Sequence, residues 1–154
     1  MKLIRLENDR VRLVLGNHEK ELLIGLLQLY PAVSAGRRKL TQHGGLPDQE
    51  ASQALLDESL AETRAHHQEK IATWFTSARS VSETEHETRI VLSPEEVEIL
   101  LQVLNDIHIG SWIALGSPET GMPRLNAENA PQLWSMQLSD SFLMDLLEGL
   151  EGND

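Results

Sequence analysis

The sequence predicts a mainly α fold: a compact helical bundle with a small N-terminal β-hairpin and one further short strand. Three observations predict it. Apolar residues recur every three or four positions over several long segments. A period-two pattern broken by a turn signal is confined to the N-terminus. The chain has 154 residues, 40% apolar and 24% charged, the size and composition of one domain spanning residues 1–154 rather than of two independent cores.

The hairpin comes first. KLIRLE and RVRLVL flank Asn8-Asp9, and Leu13 and Leu15 alternate with Arg12 and Val14, so two short strands meet at a tight turn. Asn17 then reads as the N-cap of a first helix. Glu19 and Glu21 fall in its first turn, where the helix dipole favours them, and Leu22, Leu23, Leu26, Leu27 and Tyr30 form its apolar stripe until Pro31 stops it. Residues 31–47, polar with interspersed Gly and Pro, read as a mobile surface loop.

Asp48 caps a second helix over residues 48–80, on which Leu56, Leu60, His67, Ile71, Trp74 and Ala78 recur at helical spacing. Some thirty residues at ~1.5 Å each reach about 45 Å, more than a domain of this size spans, so this helix is expected to bend, break or pair with a second chain. SVSETEHET reads as a polar connector, and TRIVL, at 88–92, as a brief strand that pairs with the hairpin.

The strongest local signal follows. Ser93 as N-cap, Pro94 at the first helical position and Glu96 three residues on make a capping box, and Val97, Leu100, Leu101, Leu104, Ile107 and Ile113 line one face before Gly116 and Ser117-Pro118 end the helix. Residues 119–154 form a Pro- and Gly-rich loop and an acidic helical tail, with a break expected near Ser139.

Charge is unevenly placed. Lys and Arg number 13 against 24 Asp and Glu, a formal net charge of −11. Residues 1–80 carry eleven bases and ten acids, whereas residues 81–154 carry only Arg89 and Arg124 against fourteen acids. An acidic half serves solubility or complements a basic partner, and it argues against nucleic acid, whose phosphates are bound by basic patches. The basic run Arg37-Arg38-Lys39 reads as a solvated loop.

With no cysteine, disulfides and thiol chemistry are excluded, in keeping with a reducing compartment. Charges at Lys2, Arg5, Glu7, Asp9 and Arg10 leave no signal-peptide core, and the apolar run at 22–33 is too short to cross a bilayer, so a cytoplasmic protein without a membrane partner is expected.

No motif for nucleophilic catalysis is present: there is no G-x-S-x-G elbow and no Gly-rich phosphate loop. Six histidines raise the question of metal. Glu58, Glu62 and His66 share a helix face with His67 adjacent, and Glu83 and His86 form one Glu-x-x-His. A metal needs three or four converging ligands, so these are weak candidates and no cofactor is expected. Asn105, Asp106 and His108 interrupt an apolar helix and are expected to form a structural polar cluster. On the last helix Phe142, Leu143, Leu146, Leu147 and Leu150 make a wide stripe among acidic residues, a surface for a protein partner or a twin subunit.

Three stretches, RLENDRVRLVLGNHEKELLIGLLQLYP, GLPDQEASQALLDESLAETRAHHQEKIATWF and VLSPEEVEILLQVLNDIHIGSWIALG, resemble an uncharacterised bacterial family of actinobacterial type. In the third, Leu104-Asn105-Asp106 and the Leu115-Gly116 pair are the points of similarity, over roughly residues 1–120. The chain departs from the pattern at His108, where an arginine is typical, and in its tail from Glu119 on. Genes of that family often neighbour the adaptor of the Clp protease, so the resemblance implies a cytosolic role near protein turnover.

The functional expectation is a non-enzymatic interaction or regulatory protein, a homodimer or the partner of another protein, contacting it through the acidic C-terminal half. The alternative is a metal-dependent hydrolase using His66, His67 and nearby carboxylates.

Overall fold

Val11, Leu13 and Leu15 alternate with Arg12, Val14 and Gly16, a period that turns one face of a strand to a core. In the computed structural model, which describes residues 1–33, 49–77 and 81–152, this segment is β2 (Val11–Gly16) and pairs with β1 (Lys2–Arg5). A 3-10 turn, Glu7–Asp9, joins the two, with Asn8 and Asp9 at φ 59° and 57°. Asn and Asp tolerate that left-handed backbone, which is why the pair marks the turn in sequence.

On its other side β2 pairs with β4 (Glu87–Leu92), and β4 pairs with β3 (Val81–Glu83). All pairings are antiparallel and the strand order is β1-β2-β4-β3. The fold is therefore mixed α+β, with a four-stranded sheet, and not the mainly helical bundle with one hairpin that periodicity predicts. The extra strand lies in SVSETEHET, which reads as a connector. As an edge strand β3 needs only backbone pairing with β4, and Ser82 and Glu83 remain exposed, so it carries no alternating apolar signal. Thr84 closes the β3–β4 turn, its N–H donating to Glu87 O at 2.9 Å and its Oγ1 accepting from Glu87 N at 3.1 Å.

The two central strands decide where the core sits. Val11 lies opposite Leu92, Leu13 opposite Ile90 and Leu15 opposite Thr88, and all six are buried on one face. Three helices cover that face: α1 (Asn17–Leu27), α3 (Pro94–Ala114) and α4 (Ala130–Glu151). The N-cap of α1 is Gly16 rather than Asn17, because Glu19 Oε2 accepts the Gly16 N–H at 2.8 Å while Asn17 Nδ2 donates to Glu85 O at 2.9 Å. For α3 the capping box forms as expected: Ser93 Oγ accepts from Glu96 N at 3.2 Å and Glu96 Oε2 from Ser93 N at 2.9 Å. Gly116, at φ 88°, follows the end of α3 in a conformation that suits glycine.

α4 is unbroken. The hydroxyl of Ser139, expected to cap a second piece, donates instead to Ser135 O at 2.7 Å and Met136 O at 3.0 Å within the same helix. Near its end α4 lies so close to β1 that a Cβ on Gly149 would stand 2.7 Å from Leu3 Cβ.

α2 (Gln49–Trp74) is also unbroken, 26 residues or about 39 Å long. It does not reach residue 80 as a helix but ends at Trp74. Among its described side chains only His67 and Trp74 are buried. The expected cap Asp48, Ala78, the basic run Arg37-Arg38-Lys39 and the rest of the expected loop from residue 34 on lie outside the described residues. No helix among the described residues is long and apolar enough to cross a membrane.

Candidate functional site

α2 carries Leu60, Thr63, Arg64 and His67 at positions i, i+3, i+4 and i+7, and α3 carries Gln102, Asn105, Asp106 and Ile109 with the same spacing. The two rows are largely polar and do not close against each other. They border, with Tyr30, a cleft of about 210 Å³.

The floor of the cleft ties together parts distant in sequence. Tyr30 Oη lies 3.1 Å from His67 Nδ1, both side chains being buried. Asp106 Oδ1 accepts the backbone N–H of Ala32 at 2.7 Å and of Val33 at 3.2 Å. Arg64 Nη2 donates to Val33 O at 2.5 Å, so α2 and α3 grip the same strip of chain from opposite ends of one residue. That strip lies against Gly110, where a Cβ would stand 2.5 Å from Ala32 Cβ and 2.8 Å from its carbonyl carbon. Only glycine permits this approach.

His67 titrates below its ordinary value of 6.5: burial penalises the imidazolium, the neighbouring His66 adds to this, and the Asp106 carboxylate opposes it. In the neutral imidazole one nitrogen is engaged by Tyr30, and which nitrogen donates follows the tautomer.

Asn105, Asp106 and His108 do not form the single cluster expected. At about 100° per residue Asp106 and His108 project about 160° apart, so these two cannot share a face. Asp106 is buried against the Tyr30–Val33 strip, Asn105 is exposed at the cleft, and His108 turns to α4, its Nδ1 lying 3.3 Å from Met136 O. Glu58, Glu62 and His66 are exposed on α2, and His66 Nε2 faces Glu95 Oε1 on α3 at 3.4 Å. Glu83, on β3, pairs with Lys20. Among the described residues no three His, Asp or Glu side chains come together as a metal site.

The stripe expected to bind a partner packs mostly on this chain's own core. Phe142 and Leu146 are buried in the main apolar cluster, and Leu143 and Leu150 are half-buried against it, because this face of α4 covers α3 and β1. Leu147 alone of the five is exposed. Sequence reasoning missed the surface on the other side of α4, where Trp134 is 60% exposed and Met144 49% exposed. Trp134 borders a depression of about 150 Å³ with Met122 and Leu125, themselves 52% and 62% exposed. The Leu125 loop is held in place: Asn129 Nδ2 donates to Arg124 O at 2.9 Å and its Oδ1 accepts from Asn126 N at 2.9 Å. The available signal was phase, since Trp134 falls outside the Phe142–Leu146 stripe when the helix is wound at 3.6 residues per turn.

Comparison with family models, with curated proteins and with solved structures finds no match to this chain.

Proposed function

We propose that the chain is a non-enzymatic interaction protein that receives a basic, amphipathic segment of a partner protein on the surface formed by Met122, Leu125 and Trp134. One observation carries this reading: a tryptophan more than half exposed, beside two exposed apolar side chains, in the half of the chain that carries the excess negative charge. Leaving Trp, Met and Leu in water together is unfavourable unless something covers them, and aromatic anchors of this kind dominate binding energy at interfaces. Glu119, Glu128 and Asp140 are exposed in the segments around the patch and supply the charge that steers a basic partner. The resemblance to a family encoded beside the Clp adaptor makes proteins of regulated turnover the first class of partner to screen.

The test uses the whole chain and a fluorescent Lys/Leu amphipathic peptide, with a Glu/Leu peptide as control, followed by anisotropy. Saturable binding of the Lys/Leu peptide is expected, weakened about thirtyfold by Trp134→Ala and reduced by salt. Binding that is absent, or unchanged by Trp134→Ala, overturns the reading. Sedimentation as a dimer that Trp134→Ala dissociates replaces the partner protein with a second copy.

A further inference from the structure

We propose that the cleft between α2 and α3 binds a small monocarboxylate bearing a short apolar group. This is independent of the surface around Trp134.

The donors of the cleft converge and are only partly used. A guanidinium carries five N–H donors in a planar fork, and Arg64 gives one nitrogen to Val33 O, which leaves the rest of the fork at the cleft it lines. His67 has Nδ1 at Tyr30 Oη, and its Nε2 has no hydrogen-bond partner among the described residues. The residue is 6% exposed and lines the cleft. The neutral ring carries one N–H, on Nδ1 or Nε2 according to its tautomer at the Tyr30 contact. Asn105 adds an exposed amide on the α3 wall. Guanidinium and amide, with the imidazole beside them in the lining, suit a planar carboxylate.

The charge of the ligand is limited to one. Asp106 lines the same cleft, and its carboxylate, though it holds two backbone N–H groups, repels a second negative charge. Among the described residues Arg64 is the one guanidinium lining the cleft, and beside the Asp106 carboxylate it favours a monoanion over a phosphate dianion. Leu60 and Ile109 supply the apolar lining, and about 210 Å³ is below the roughly 300–1,000 Å³ of pockets for drug-sized molecules. The ligand has only a few carbon atoms.

The experiment follows the imidazole signals of His67 by NMR in the intact chain during titration with butyrate, butyramide and inorganic phosphate. Butyrate is expected to shift the His67 signals saturably. Butyramide, which has the same shape without the charge, is expected to bind at least about tenfold more weakly, as is butyrate to Arg64→Gln. If Arg64→Gln does not fold, the comparison of butyrate with butyramide on the unaltered chain, and butyrate binding to Asn105→Ala, still decide the matter. No saturable shift with butyrate, equal binding of butyrate and butyramide, or phosphate binding as tightly as butyrate overturns the proposal.

Discussion

Asp106 and Ala32, 74 positions apart in sequence, are joined by a 2.7 Å hydrogen bond from the Ala32 N–H to Oδ1, and the same oxygen takes the Val33 N–H at 3.2 Å. The chain leaving α1 is thereby fastened to the middle of α3. Removing the carboxylate leaves a buried donor without its partner, so Asp106→Ala is expected to lower the unfolding free energy by about 1–3 kcal/mol. Asp106→Asn keeps an acceptor oxygen and is expected to lose less. Urea midpoints at unchanged slope check both.

Gly110 faces the same strip from the next turn of α3. A methyl group there meets Ala32 Cβ at 2.5 Å and its carbonyl carbon at 2.8 Å, and backbone cannot move aside as a side chain end can. Gly110→Ala is expected to destabilise by about 1–3 kcal/mol despite its better helix propensity. Combining it with Ala32→Gly relieves the Cβ contact only, so thermal unfolding should show partial rescue.

His67 makes stability depend on pH in a defined window. Burial holds its pKa below 6.5 in the folded chain, with His66 in the same direction and Asp106 opposing, while Tyr30 engages its ring and Arg64 stands one helical turn away on α2. In the unfolded chain it takes up a proton at its ordinary value, so above 6.5 its contribution is fully present. As pH falls through 6.5 the unfolded state gains protons first and stability drops, levelling once pH passes below the folded pKa. Glu19 acts in a separate range: hydrogen bonds from the N-terminal ammonium and the Gly16 N–H lower its pKa from 4.5, so its contribution is lost only at more acid pH. His67→Gln is expected to remove the drop that begins near 6.5, read by urea unfolding across that range.

The two faces of α4 should respond differently. Phe142 is 6% exposed in the main core and Trp134 is 60% exposed. Phe142→Ala is expected to cost about 3–5 kcal/mol through lost burial and the cavity left behind. Trp134→Ala should stay within about 0.5 kcal/mol of the unaltered chain, which makes it a clean reagent for the binding test. Denaturation midpoints of the two variants separate these outcomes.

Elements that rest on neighbours in the chain were legible. The capping box of Ser93 and Glu96 is a three-residue relationship, and the Asn8-Asp9 turn and the alternation of Leu13 and Leu15 are read within a few positions. The same holds for the brief strand before Ser93, whereas α1 ends at Leu27, short of the expected stop at Pro31. Harder were the elements whose local composition permits two answers. Ser139 offers a cap as readily as it bonds its own helix, and the continuous apolar packing of α4 on α3 and β1 favoured the unbroken form.

Sequence by itself determined the acidic C-terminal half, the absence of thiol chemistry, the helices α1 and α3, and the N-terminal hairpin. Each follows from composition or from hydrogen bonds between residues close in the chain. Tertiary structure alone decided that β3 joins the sheet, that Phe142 and Leu146 face inward while Trp134 faces out, and that Tyr30, Arg64, His67 and Asp106 meet at one cleft. The physical reason is the same in each case. An edge strand is held by backbone bonds to a partner and so leaves no alternating mark, and the two helical rows of the cleft, though each periodic, are brought together only by the packing of separate segments.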